Sequence, residues 1–423
     1  METLSVHAWW MVTVFVIGYF LITIESFTRI DKATIALLMG TVCWVIQYMT
    51  AVPECGSSLT CLGEHINNIS QIVFFLLGAL AIVEIINVHQ GFSLIVDNIH
   101  MRSKRKLLWI LGFISFFLSS ILDNLTTTIV MVTLLRKLID EGEERLIIGA
   151  AVVIAANAGG AWTPIGDVTT TMLWIGGQVS TLNIMRELFL PSMACLVVSL
   201  SAMTCMLKGD FPPRQAAIEE QRLEPNGKLV FFLALAILIS VPIFKVLTGL
   251  PPFMGILFGL SILWLVTDLL HRGYSDRSHL RMLSVLSKID LSSLLFFLGI
   301  LLAIDALDSA LILEKLANWL DTAVANQTLI GTTIGLVSAV IDNVPLVAGA
   351  MGMYELTQHP TDSYFWNLIA YCAGTGGSIL IIGSAAGVVF MGMEKVNFMW
   401  YLKRISLSAL LGYFAGILIY ASM

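Results

Sequence analysis

The chain has 423 residues, of which 57% are hydrophobic and only 12% charged, with a formal net charge of −6. A soluble domain carries about 25% charged residues, so apolar stretches recurring from end to end exclude a soluble protein and indicate an all-α polytopic membrane protein. Glycine-rich phosphate loops, His/Cys metal clusters and basic–aromatic tracts do not occur, so no cofactor, nucleotide or nucleic-acid partner is expected and the chain does not read as an enzyme.

In chain order the apolar segments long enough to span a bilayer are Ala8–Ile24, Ala33–Val52, Gln71–Val88, Leu146–Gly176, Leu188–Leu207, Leu229–Val246, Phe253–Leu270, Ser292–Ala306, Trp366–Met393 and Ile405–Tyr420. The first lacks a basic flank and a small-residue cleavage site, so it reads as a retained helix. Two further segments, Leu107–Leu135 and Leu329–Glu355, are interrupted at their centres by Asp-Asn. Cys55 and Cys61 share one short loop and either pair as a disulfide or remain free thiols. The tryptophans and phenylalanines are expected mostly at lipid or at the interfaces.

Lys and Arg cluster after the first span, after the third, after the first interrupted segment, around Lys208–Lys228, around Arg272–Lys288 and at Lys395–Arg404; Arg186, Lys245 and Lys315 fall elsewhere. The positive-inside rule makes the clustered loops cytoplasmic. Leu107–Leu135 has basic residues on both flanks, so it must enter the membrane from the cytoplasm and return. Leu329–Glu355 must likewise be re-entrant, from the other side. Both termini then face the periplasm.

Internal repeats support this reading. "FFLLGALAIVE" (Phe74–Glu84) resembles "FFLGILLAID" (Phe296–Asp305), "SSILDN" (Ser119–Asn124) resembles "SAVIDN" (Ser338–Asn343), and "NAGGAWTPIGD" (Asn157–Asp167) resembles "GTGGSILIIGS" (Gly374–Ser384). With the topology above these are inverted repeats, a pattern of secondary transporters. About ten spanning helices plus two re-entrant helical hairpins result, with broken helices. Residues 1–69 hold two scaffold spans, and residues 70–207 the first repeat, with hairpin 107–135 and broken helix 146–176. A cytoplasmic linker, 208–228, and two more scaffold spans, 229–290, precede the second repeat, 291–423, with hairpin 329–355 and broken helix 366–393. Gly91–Lys106 and Ser309–Asp321 read as interfacial arms.

Irregular backbone at membrane depth must be buried in protein or line a cavity. Inverted symmetry should bring the hairpin tips and the Gly-Gly breaks together near the midplane, where half-helix N-termini and freed carbonyls face a ligand. The side chains there are Asp123, Asn124, Thr126, Thr127, Thr128, Asn157, Thr163, Asp167, Thr169 and Thr170 from the first half, and Asp342, Asn343, Thr375, Ser378 and Ser384 from the second. This oxygen-rich, acidic set without Lys, Arg or His suits a small hard cation such as Na⁺ or Li⁺, held at Asp123, Asn124, Asp342 and Asn343. A carboxylate at the midplane must be neutralised by a cation or a proton, and one site accepting either but not both is the minimum machine for antiport.

Other roles stay open. Asp123 and Asp342 could be helix caps, and Asp167 either holds a cation or caps the next half-helix. Glu84 and Asp305, late in their spans, could bind a proton or cation, pair with a hairpin, or reach the interface, while Asp308, nearer the span end, reads as interfacial and Glu25 as a surface group. His65, His89 and His100 read as solvated, with pH sensing as the alternative. The alternative function is a Na⁺-coupled symporter for an organic anion, in which the aspartates hold the coupling ion.

The stretches "SILDNLTTTIVMVTLLRKL", "AANAGGAWTPIGDVTTTMLWIGGQ" and "IDNVPLVAGAMGMY" resemble the NhaD-type sodium/proton antiporters of the ion transporter superfamily, from about Glu64 to the C-terminus. That resemblance implies a homodimer in the bacterial inner membrane. It also implies elevator-like movement of a transport unit against a scaffold, with exchange of Na⁺ and Li⁺ for external protons. Dicarboxylate-carrying relatives have a Ser-Asn-Thr type tip where Asp-Asn-Leu-Thr stands here.

Overall fold

The computed structural model describes residues 6–23, 30–50, 58–96, 103–211, 223–324 and 326–423, and apart from one isolated bridge between Ser103 and Asp210 its regular elements are helices. In the first half the helices of seven residues or more are α1 (Val6–Thr23), α2 (Lys32–Thr50), α3 (Ser58–Val88), α4 (Lys104–Ser119), α5 (Asn124–Leu138), α6 (Glu143–Gly160), α7 (Val168–Ile175) and α8 (Thr181–Thr204). In the second they are α9 (Gly227–Thr248), α10 (Pro252–His271), α11 (Leu291–Ser309), α12 (Ile312–Val324), α13 (Gln327–Val337), α14 (Asn343–Met353), α15 (Tyr364–Gly376), α16 (Ala385–Glu394), α17 (Phe398–Arg404) and α18 (Ser406–Ser422). Among the described residues six helices are long and apolar enough to cross a membrane, or seven if the bent pair α17–α18 is one span.

Both segments interrupted by Asp-Asn are pairs of short helices, α4–α5 and α13–α14. Asp123 caps α5 by accepting from the Thr126 backbone N–H; Arg136 and Lys137 end it, where cations suit the helix dipole. The spans expected at 146–176 and 366–393 each break into two half-helices, α6–α7 and α15–α16. Pro164 lies in the first break, where a continuous helix would lose a hydrogen bond.

Helices apolar on every face belong in a core. Ile147–Gly160 of α6 and Phe365–Gly376 of α15 are buried at every position. Each is gripped by its hairpin through matched contacts: Ser119 Oγ donates to the Ala156 carbonyl at 2.6 Å, and Ser338 Oγ to the Ala373 carbonyl at 2.9 Å. Gly159 lies against the Phe116 carbonyl and Gly376 against that of Gly335. Around this block a second group forms, in which α11 packs on α2, α3 on α10, α1 on α2 and α9 on α10.

The two ends of the molecule differ. At one, Lys104 pairs with Glu144 at 2.9 Å, while the side chain of Glu394, fully buried, accepts from Arg136 Nε at 2.7 Å and Arg145 Nε at 2.8 Å. The start of α4, the end of α5, the start of α6 and the end of α16 therefore share this basic end. At the other, the Ser180 N–H donates to Asp362 Oδ1 at 2.6 Å, and Thr361 Oγ1 to the Gly177 carbonyl at 2.7 Å. There the end of α7 meets the segment that follows α14.

Several expectations need correction. The third span does not begin at Gln71: α3 starts at Ser58, because the polar stretch before Gln71 continues the helix beyond the apolar part. The amphipathic arm is α12, Ile312–Val324, displaced from Ser309–Asp321. Of the other arm, Lys104 already belongs to the hairpin, and residues 97–102, His100 among them, lie outside the described residues, as do Glu25 and Cys55 of the proposed disulfide. Trp174 and Trp366 are fully buried in protein.

His89 is not solvated. It is fully buried at the end of α3 against His271 of α10, with Nε2 atoms 3.1 Å apart. His89 Nδ1 lies 2.8 Å from the Ile85 carbonyl, so it carries the proton and Nε2 accepts from His271. Burial pushes His89 down to about 4. In the unfolded chain it would take a proton near pH ~6.5, so the stability from the neutral ring is complete above that value and lost as pH falls towards 4. Thermal melts in detergent should drop over this window, and His89→Leu should flatten the drop; an unchanged pH profile would contradict this assignment.

Candidate functional site

The hairpin tips and helix breaks converge on one buried hydrogen-bond network. Asp167, the N-cap of α7, is 2% exposed and accepts the Thr169 backbone N–H on Oδ1 at 3.0 Å. Its Oδ2 accepts the amide of Asn124 from the first hairpin at 2.9 Å and the amide of Asn343 from the second at 3.4 Å. One carboxylate oxygen thus joins both hairpins to a broken helix.

Asn157, on the buried face before the first Gly-Gly break, is the second hub. Its Oδ1 accepts from Asn124 at 3.0 Å. Its amide donates to Ser378 Oγ at 2.8 Å and Ser384 Oγ at 2.9 Å, both in the break of the other half. Ser384, standing where the repeat matches Asp167, caps α16 by accepting the Gly387 N–H at 3.2 Å. The two halves therefore meet as acid and hydroxyl caps joined through asparagines.

The remaining candidates divide. Asp123 accepts the Thr126 N–H on Oδ1 at 2.7 Å and the Thr126 hydroxyl on Oδ2 at 2.8 Å, so it is a cap. Asp342 precedes α14 without a side-chain capping bond. Thr163 Oγ1 donates to the Ser120 carbonyl at 2.7 Å and ties the break to the first tip. Thr128 and Thr375 bond back to the preceding turns, at the Asn124 and Tyr371 carbonyls, and Thr170 Oγ1 donates to the Asp167 carbonyl at 2.9 Å. Thr127 Oγ1 and Thr169 Oγ1 are buried hydroxyls; that of Thr127 has no hydrogen-bond partner among the described residues, and that of Thr169 lies by the Asp167 carboxylate. Such oxygens carry a desolvation cost that a bound cation would relieve.

Glu84 and Asp305 are not in this network. Glu84 accepts from Asn87 at 3.2 Å near the C-terminal end of α3. Asp305 pairs with His65 at 3.2 Å near the opposite end, where both line a cavity of about 300 Å³ with Asp308. Tyr401, which sequence reasoning did not single out, donates its hydroxyl to the Ser378 carbonyl at 2.9 Å; a tyrosine beyond the end of a half-helix carries no motif that would have marked it.

A family model described as "Citrate transporter" matches residues 19–370. The chain is 54% identical to sodium/proton antiporter 1 of Arabidopsis thaliana, over 98% of this chain and 72% of that protein. It is 53% identical to sodium/proton antiporter 2 of the same plant, over 98% and 99%. With the Na⁺/H⁺ antiporter NhaD of Vibrio cholerae it shares 29% identity, over 96% and 90%.

Proposed function

The chain belongs to the NhaD-type sodium/proton antiporters within the family that the citrate-transporter model describes, and from that membership and its central network we propose that it exports Na⁺ or Li⁺ in exchange for protons. It is a multi-pass membrane protein and a transporter, not an enzyme. The observation that carries the reading is Asp167 Oδ2, where amides from both hairpins meet on one buried carboxylate. A dehydrated Na⁺ takes oxygen ligands: the Asp167 carboxylate, the hydroxyls of Thr127 and Thr169, and carbonyls freed at the breaks. A proton on the same carboxylate neutralises it equally well and removes its attraction for the cation. Occupancy by one excludes the other, which couples the two fluxes.

Asp123 and Asp342 begin the inner half-helices beside this centre; Asn124 and Asn343 register each hairpin on Asp167. The matched Ser119 and Ser338 bonds and the opposite ends at which the hairpins open support about ten crossings and two re-entrant hairpins in inverted repeats. The block of α4–α8 and α13–α18 is then the moving unit, and α1–α3 with α9–α11 the scaffold, in an elevator-like cycle of a homodimer. Residence in a bacterial inner membrane, with both termini periplasmic, belongs to the same proposal and rests on the basic residues and the bacterial relatives; the relatives at 54% and 53% identity are plant proteins.

The family model's description favours a second reading, symport of an organic anion with Na⁺. A network with Asp167 at its centre and Asn and Ser around it offers such an anion no cationic partner. In everted vesicles holding an imposed proton gradient, NaCl and LiCl should collapse the gradient, faster at pH 8.5 than at pH 7, and KCl should not. Sodium-dependent citrate or succinate uptake without gradient collapse would replace the antiport reading with the symport one.

A further inference from the structure

Lys245 is one of three basic residues outside the cytoplasmic clusters, and it sits in the last turn of an otherwise apolar helix, α9. An ammonium among apolar residues at membrane depth is costly and persists where it has a partner. Its partner is Trp174, in the last turn of α7. Lys245 Nζ donates to the Trp174 carbonyl at 2.7 Å and lies 4.4 Å from the centre of the indole ring. The indole is itself fixed: it is fully buried, its Nε1 donates to Thr181 Oγ1 at 2.9 Å, and Phe75 of α3 meets it edge-on at 6.3 Å.

α7 is eight residues, about 12 Å long. Its N-terminus carries Asp167; its C-terminus carries the carbonyl that Lys245 holds. A helix C-terminus is the negative end of the dipole and favours a cation, and an ammonium over an indole face adds a cation–π attraction. α9 packs on α10 and α3, whereas α7 packs mainly on α14 and α15 and reaches α3 through Trp174 and Phe75. The ammonium therefore bridges two groups of helices at the end of α7 beside Gly176 and Gln178, which line the 300 Å³ cavity next to Asp305.

We propose that Lys245 is a positioning residue that fastens the C-terminal end of α7 to the scaffold, and so holds the half-helix carrying Asp167 in the arrangement seen here. The inference rests on the antiport reading and extends it to how the site is presented. The fastening exists in this arrangement and must break when α7 moves against α9. Its loss shifts the population away from this arrangement, whose interdomain cavity lies at the end remote from the basic loops. Sodium offered at the basic face then meets a competent site more often.

The test uses the full-length protein reconstituted in liposomes, with Na⁺ added on the basic face and rates taken per inserted protein. Lys245→Met should lower the half-saturating Na⁺ concentration at least threefold. Lys245→Arg, whose guanidinium can also donate to the carbonyl and stack on the indole, should restore it. Lys245→Met and Trp174→Phe should be non-additive when combined. A variant that loses only inserted protein or maximal rate, with half-saturation unchanged, overturns the proposal, and so does failure of Lys245→Arg to restore. If the unmodified protein exchanges no sodium, the antiport reading itself fails, and that result is distinct from these.

Discussion

Asp167→Asn should abolish sodium and lithium exchange, at least 100-fold, in protein that still inserts and folds. The ionised carboxylate is acceptor-only and here takes three donors: the Thr169 N–H and the amides of Asn124 and Asn343. An asparagine at the same place turns an NH₂ towards groups that are themselves donors. It also removes the charge at Asp167 that either a cation or a proton would neutralise. The symmetry-related residue supplies the contrast. Ser384 caps α16 with a neutral hydroxyl and bonds Asn157, so Ser384→Ala loses a cap worth about 1 kcal/mol and should leave exchange measurable. Gradient-collapse assays on both variants, normalised to inserted protein, decide the matter; exchange surviving in Asp167→Asn would remove this residue from the site.

Gly376→Ala and Gly159→Ala should each prevent stable accumulation of the protein. A Cβ on Gly376 would overlap the Gly335 carbonyl, and one on Gly159 the Phe116 carbonyl. Both obstacles are backbone in a hairpin that Ser338 or Ser119 already ties to the same helix, so neither side can yield without loosening the other. Overpacking typically costs about 1–3 kcal/mol, and backbone against backbone lies at or beyond the upper end. Gly349 and Gly392 face open space; Gly349→Ala, in the interior of α14, should be neutral or stabilising by several tenths of a kcal/mol. Melting temperature in detergent and yield from the membrane should separate the two groups. Equal behaviour of all these variants would show that the hairpins do not grip the central helices as described.

The breaks were legible because helix breakers are rare inside long apolar runs and came in matched sets: Asp123-Asn124 with Asp342-Asn343, and Gly159-Gly160 with Gly376-Gly377. The convergence of Asn124, Asn157, Asp167, Asn343, Ser378 and Ser384 follows from that pattern. The division of labour among the acids did not. A cap and a cation ligand call for the same residue type, and only geometry shows that both oxygens of Asp123 turn to Thr126 whereas Oδ2 of Asp167 receives both hairpins. Pairings between distant segments were equally hidden. His89 reads as a residue beside a turn, and nothing in its neighbourhood announces His271. The start of α3 at Ser58 is hidden because the helix is polar there, which in sequence looks like a loop.

The central claim is that sodium and a proton compete for one buried carboxylate. It is tested most directly by adding NaCl or LiCl to the purified protein in weakly buffered detergent solution at constant ionic strength and following the pH. Proton release that saturates with Na⁺ and Li⁺, is absent with KCl, and vanishes in Asp167→Asn is the predicted result. Sodium binding, measured calorimetrically under the same conditions, with no proton released would contradict it.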